Sequence, residues 1–159
     1  MGNMDYITKE GMDLIQKRIR HLAEVERPQV IKRVAVARAQ GDLSENAEYK
    51  AAKEMQRHID KELDHLKTRS THLKVIDPKT IPKDSVRFGA LITVKELDSN
   101  RTVIYHLVGI DEVNFPEEHM EKVSIASPIG SSMIGKKPGD KVIIKAPMGE
   151  RIFEILEIK

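Results

Sequence analysis

The sequence contains no cysteine and no tryptophan, and its only aromatic residues are three tyrosines and three phenylalanines. The missing cysteine removes disulfide frameworks, thiol nucleophiles and thiolate zinc sites together, and suits a reducing compartment. So few rings leave too little material for an aromatic platform that stacks single-stranded bases. No run approaches the roughly 18 apolar residues of a membrane span. The opening Met1-Gly2-Asn3-Met4-Asp5-Tyr6 has neither a basic leader nor an apolar stretch, so a soluble, unexported, cytoplasmic protein with no membrane partner is expected. Gly2 does not open a myristoylation signal, since Tyr6 stands where that signal needs Ser or Thr. A strong excess of one charge is also lacking. The 27 Lys and Arg oppose 25 Asp and Glu, a formal net charge of +2, so attraction to nucleic acid must come from local clusters. There is no nucleophile motif, phosphate-binding glycine loop or HExxH zinc motif, which argues against an independent enzyme.

What is present is 159 residues, 40% hydrophobic and 33% charged, enough for one large domain or two small ones with a slim or divided core. From Thr8 to about Ala39, Met12, Ile15, Ile19 and Leu22, then Val30, Val34 and Ala37, recur at helical steps. Thr8 suits the N-cap, and Pro28 predicts a kink or restart near Glu26 to Pro28. A second stripe, Ala52, Gln56, Ile59, Leu63, Leu66, Ser70 and Leu73, advances by 4, 3, 4, 3, 4 and 3, a heptad seam. Gly41 between the stripes suits the left-handed end of the first helix, and the short connection makes the helices antiparallel. Arms of roughly 30 residues give a hairpin about 45 Å long.

After Asp77-Pro78-Lys79-Thr80-Ile81-Pro82 the period becomes strand-like, over Ala90 to Glu96, Thr102 to Val108, Lys141 to Lys145 and Ile152 to Ile158. Asp98-Ser99-Asn100 and Pro147-Met148-Gly149 supply hairpin turns, and Ser132 to Gly135 suits a short helix. The class is therefore α+β: an antiparallel coiled-coil hairpin over 1–77 with an acidic tip at 41–49, then a small α+β domain over 78–159.

The tip, Gly41-Asp42-Leu43-Ser44-Glu45-Asn46-Ala47-Glu48-Tyr49, concentrates carboxylates at the closed end of the hairpin. Two explanations stand side by side. Asp42 followed three residues later by Glu45 matches a capping box, where the helix dipole favours acids. Equally, two ionised carboxylates offer oxygen ligands to a Mg²⁺ whose other ligands lie on a partner. Lys32, Arg33, Arg38, Lys50, Lys53 and Arg57 on the arms are either a solvated face or a surface that attracts phosphates by charge. His58, His65 and His72 repeat every seven residues, about 10.5 Å apart on a helix, too far for one metal and at an outward heptad position.

The tip segment with the following Ala51-Ala52 resembles the tip motif of the bacterial Gre transcript-cleavage factors. Ser127-Pro128-Ile129 and Ile134-Gly135-Lys136-Lys137-Pro138-Gly139-Asp140 resemble a segment of the same family's C-terminal domain. The likeness runs along essentially the whole chain, and the modest basic content is that of the family's less basic branch.

The resemblance implies an FKBP-like fold for the second domain. It also implies that the hairpin enters the secondary channel of bacterial RNA polymerase and stimulates the polymerase's own cleavage of backtracked RNA. By motif, Asp42 and Glu45 match the two tip acids that help hold the second, shared Mg²⁺, and Ser44, Asn46 and Tyr49 match supporting tip residues. Arg38, Lys50, Lys53 and Arg57 become candidates for contact with nascent RNA or the channel wall. Ser127, Pro128 and Ile129 match the polymerase-docking loop, where Ala126 and Ser131 depart from the polar and basic residues of many relatives. The factor is expected to act as a monomer. The alternative is an inhibitor that uses the same fold and channel.

Overall fold

The structure, a computed structural model, describes residues 5–41 and 46–159. It forms two compact units, one of residues up to Met12 together with Leu73–Lys159, the other of Asp13–His72.

In the helical unit, α1 (Lys9–His21) passes through a π-helical turn, Leu22–Glu26, into α2 (Arg27–Ala39), and α3 (Ala47–Thr71) follows. The buried residues Ile15, Leu22, Val30 and Ala37 are spaced 7, 8 and 7 apart, so the stripe holds one residue more than a heptad seam allows. The π turn takes up that residue. The Arg27 N–H donates to the Leu22 carbonyl, five residues back, and the helix resumes with Pro28 in its first turn. There the missing N–H costs nothing, and the widened turn before it makes room for the ring. The restart expected at Glu26 to Pro28 is therefore present as a wide turn with helical backbone angles on both sides.

The seam of α3 is buried as its heptads require: Ala52, Ile59 and Leu63 are buried, while Gln56, Leu66 and Ser70 are half-buried. Ile59 and Leu63 pack with Leu22 and Val30, flanked by Ile19, Val34 and Leu66. The antiparallel sense follows from the cross-links, in which Asn46 meets Ala37, Arg33 meets Met55 and Arg27 meets Asp60. Arg18 grips both oxygens of Glu62 at 2.9 and 3.0 Å and bonds Glu26 at 2.8 Å. Its bond to Glu62 is the main cause that holds the guanidinium still more firmly protonated. His58, His65 and His72 are exposed, as their heptad position predicts.

In the sheet unit, β1 (Asp5–Thr8) pairs in parallel with β2 (Leu73–Ile76). A separate five-stranded sheet contains β3 (Leu91–Glu96), β4 (Arg101–Val108), β5 (Glu121–Ser124), β6 (Lys141–Ala146) and β7 (Gly149–Ile158), ordered β5-β4-β3-β7-β6. It is mixed, with β4 and β5 parallel and the other pairs antiparallel. Asn100 (φ 57°) and Gly149 (φ 126°) take left-handed conformations in the two turns read from the sequence. Alternating inward residues, among them Ile92, Val94, Leu107, Phe153 and Ile155, build the core with Met133 of α4 (Pro128–Met133). Burial in that core, with Glu121 and Glu96 nearby, pushes the Tyr105 hydroxyl above its ordinary pKa. A sheet covered by one short helix is the arrangement expected of the FKBP-like class.

One expectation needs correction. The short helix begins at Pro128, not Ser132, because the Ser127 hydroxyl caps it by accepting from the Gly130 N–H at 3.0 Å, with Pro128 at the first helical position. The compact units group residues in space and not along the chain. The strands β1 and β2 and the first turn of α1 belong with the sheet unit. Ile7 is fully buried, and the Gly109 backbone lies so close to the Tyr6 carbonyl that a Cβ there would come within 2.3 Å of it.

Thr8 caps α1 as expected, its hydroxyl accepting from the Gly11 N–H at 3.1 Å. Its partner on the other side is Glu112, 1% exposed, which no sequence pattern singles out. Glu112 accepts from the Thr8 N–H at 3.1 Å and from the Thr8 hydroxyl at 2.6 Å. Among the described residues no helix is long and apolar enough to cross a membrane.

Candidate functional site

Among the described residues, the Asn46 side chain links the end of α2 to the start of α3. α2 ends at Ala39, and Gly41 follows with φ +124°, the left-handed conformation expected of it. α3 starts from Asn46, which sits in extended backbone as N-cap and accepts from the Tyr49 N–H at 3.0 Å through Oδ1. Its Nδ2 donates to the Ala37 carbonyl at 2.8 Å, so the same amide satisfies the start of one helix and the end of the other. The capping-box explanation, which gave the N-cap of the second helix to Asp42, is thereby replaced. Asp42, Ser44 and Glu45 lie outside the described residues.

Of the other tip residues, Tyr49 is half-buried and Glu48 is exposed in the first turn of α3. Below the tip, α2 and α3 flank a groove of about 730 Å³ lined by Lys32, Arg33, Val36 and Ala37 on one side and by Ala47, Glu48, Ala51 and Ala52 on the other. Four alanines make this hollow, because side chains so short leave the space between the helices open. Lys32 and Arg33 put two cations on one wall against Glu48 on the other. Val36, 53% exposed, adds an apolar surface.

Arg38, Lys50, Lys53 and Arg57 do not line this groove. Arg38 and Lys50 are exposed, Lys53 is half-buried, and exposed Arg57 shares its charge with Glu54 at 2.5 Å. Lys32 and Arg33 belong to the same basic set in the sequence, but only the pairing of α2 with α3 separates them from the rest.

The Ser127-Pro128-Ile129 segment divides its labour. Ser127 is committed to capping, its hydroxyl donating to the Ser124 carbonyl at 2.6 Å as well as accepting from Gly130. Ile129 packs against the sheet core. Pro128 is exposed, as are Ala126 and Ser131 beside it. Among the described residues no group of three or more His, Cys, Asp or Glu is placed to hold a metal ion.

Two families match this chain. "Transcription elongation factor, N-terminal" covers residues 5–75, and "Transcription elongation factor, GreA/GreB, C-term" covers residues 81–159. Among curated relatives, the transcription elongation factor GreA of Ralstonia nicotianae is 42% identical over 154 residues, 96% of each chain. GreA of Acidiphilium cryptum is 40% identical over 153 residues, again 96% of each. Among solved structures, the GreA factor homolog Gfh1 of Thermus thermophilus aligns over 98% of this chain and 99% of its own, at 20% identity and a TM-score of 0.45.

Proposed function

Because this chain belongs to the GreA/GreB family of transcription elongation factors, we propose that it binds the secondary channel of bacterial RNA polymerase and stimulates the polymerase's cleavage of backtracked RNA. In this reading the polymerase is the nuclease and the chain is its accessory, acting in the cytoplasm as a monomer on nascent RNA. The sheet unit docks through the exposed surface around Pro128, and the hairpin carries the tip to the reacting phosphodiester.

The observation that carries the tip's role is Asn46. α3 takes its N-cap from Asn46, which accepts from the Tyr49 N–H, so the N-cap position itself is filled by an amide and not by an acid. In this reading Asp42 and Glu45 serve as ligands. Their carboxylate oxygens are the hard donors that Mg²⁺ prefers, and two side chains fall short of the six positions it fills, so the remaining ligands come from the polymerase and water. A Mg²⁺ held between the two proteins supplies charge stabilisation to the oxygens of the phosphodiester displacement. Asn46 holds the loop's exit in place, and Lys32 and Arg33 at the groove attract the phosphates of the extruded RNA, an attraction that weakens with salt.

The test uses a stalled, backtracked polymerase complex with 5′-labelled RNA and Mg²⁺. Asp42→Asn or Glu45→Gln is expected to lower stimulated cleavage by about 100-fold, the scale of losing one preorganised charge at a reacting centre, with polymerase affinity nearly unchanged. Loss of affinity with each change would make the acids docking elements. Binding of the unaltered chain without cleavage would favour the inhibitor instead.

A further inference from the structure

We propose that Glu112 is a positioning residue for the hairpin tip: its buried carboxylate holds the first turn of α1 to the sheet unit, in place of a side chain that Gly11 lacks. The inference rests on the cleavage-stimulating role proposed above.

In an ordinary capping box the N-cap Ser or Thr bonds the N–H three residues on, and a Glu or Gln there reaches back to the N-cap N–H. Thr8 makes the first half of this motif, to the Gly11 N–H at 3.1 Å. The second half is missing from the helix, because the residue three positions on is Gly11. Glu112, 104 residues away, makes it instead, at 3.1 Å to the Thr8 N–H, and also takes the Thr8 hydroxyl at 2.6 Å from each carboxylate oxygen. A Cβ on residue 11 would lie 2.4 Å from Glu112 Oε1, so glycine is the condition for the remote acid to enter. Lys122 Nζ stands 4.0 Å from the other oxygen, with side-chain exposures of 6% for Lys122 and 1% for Glu112, and anchors the carboxylate to β5. The helix N-terminus adds a favourable dipole.

A glutamate at position 11 would cap α1 equally well and tie it to nothing. The remote cap ties it to the connection between β4 and β5. That matters because α1 continues beyond Met12 as the first arm, through the π turn and α2 to Gly41. Over an arm of about 45 Å, a tilt of about 5° at the first turn displaces the far end by about 4 Å. Catalytic groups tolerate far less, since a misplacement of about 1 Å costs on the order of 100-fold.

The deciding comparison separates the cap from the tie. Glu112→Ala with Lys122→Met removes the tie without leaving an unpaired buried ammonium, and Gly11→Glu added to that pair rebuilds a local capping box in the vacated space. At saturating factor, the Glu112→Ala/Lys122→Met chain is expected to lose about 10- to 100-fold of cleavage stimulation while still binding polymerase. Adding Gly11→Glu is expected to restore the melting temperature but not cleavage. Recovery of cleavage with Gly11→Glu, or wild-type cleavage without the tie, would reduce Glu112 to a helix cap and overturn the proposal. Because the chain has no native cysteine, spin labels at Lys61→Cys and Lys145→Cys, both exposed, report the tie without reference to activity. The distance distribution is expected to be broader in both altered chains than in the wild type. Equal widths would overturn the tie even if the wild type stimulated no cleavage, an outcome that would separately refute the proposed function. If the Glu112→Ala/Lys122→Met chain does not fold, Thr8→Val, which removes the hydroxyl shared by both carboxylate oxygens, is expected to lower cleavage and broaden the distance distribution, and wild-type values of both would overturn the proposal.

Discussion

Asn46 does two jobs with one side chain, accepting from the Tyr49 N–H and donating to the Ala37 carbonyl, and its loss is felt on both arms. Asn46→Ala is expected to destabilise the hairpin by about 1–2 kcal/mol, the upper part of the range for a lost N-cap, because a second bond is lost with it. Asn46→Asp keeps the acceptor and loses only the donor to Ala37, so it should recover roughly half of that. Urea unfolding followed by helical circular dichroism measures both, and equal losses for the two changes would show the bond to Ala37 to dominate. At this scale the sequence was legible where one residue's chemistry has a local use. Thr8 as N-cap and Gly41 in the left-handed region were both readable, since their partners lie within a few positions. Glu112 was not, because its use appears only when a strand 104 residues away reaches it. Which residue caps α3 was not readable for a related reason: Asp42 and Asn46 are both good N-caps, and only the start of α3 decides between them.

Among the elements, the interrupted helix makes the sharpest claim. If the π turn exists because Leu22 and Val30 are 8 residues apart where a heptad seam wants 7, then removing one residue from it together with the proline should restore an uninterrupted α-helix. Deletion of exposed Val25 combined with Pro28→Ala is therefore expected to keep helix content and melting temperature close to wild type. Deleting exposed Asp64 instead rotates half-buried Leu66 off the seam of α3, a loss of about 1 kcal/mol for that side chain, less than the roughly 1.5–3 kcal/mol of a fully buried leucine. Thermal melts of the two deletions check the contrast, and equal damage by both would mean that the π turn has a role of its own. The long helices were legible because their period repeats several times. The strands β1, β2 and β5, four residues each, were missed because two alternations cannot be told from chance. The same limit hid the start of α4, whose 6 residues are fixed more by Ser127 and Pro128 than by any periodicity.

For the whole molecule, the chain order has a consequence that the Pro-flanked boundary concealed. In chain order, the helical unit, Asp13–His72, is inserted between β1 and β2, which pair with each other within the sheet unit. A chain with Met12 joined to Leu73 through a Gly/Ser linker should therefore fold, retain the docking surface around Pro128 and compete with the intact factor for polymerase without stimulating cleavage. A chain beginning at Pro78, the boundary suggested by composition, lacks β1 and β2 altogether. It gives up the burial of Ile7 and Leu73, about 3–6 kcal/mol for two such side chains, and removes from Glu112 its bonds to Thr8. Comparing the urea midpoints of the two shortened chains tests the division directly. If the chain from Pro78 is as stable as the linked one, then β1 and β2 belong energetically to the hairpin. In that case the tie at Glu112 adds nothing to the sheet unit's own stability, and its only remaining use would be to position α1.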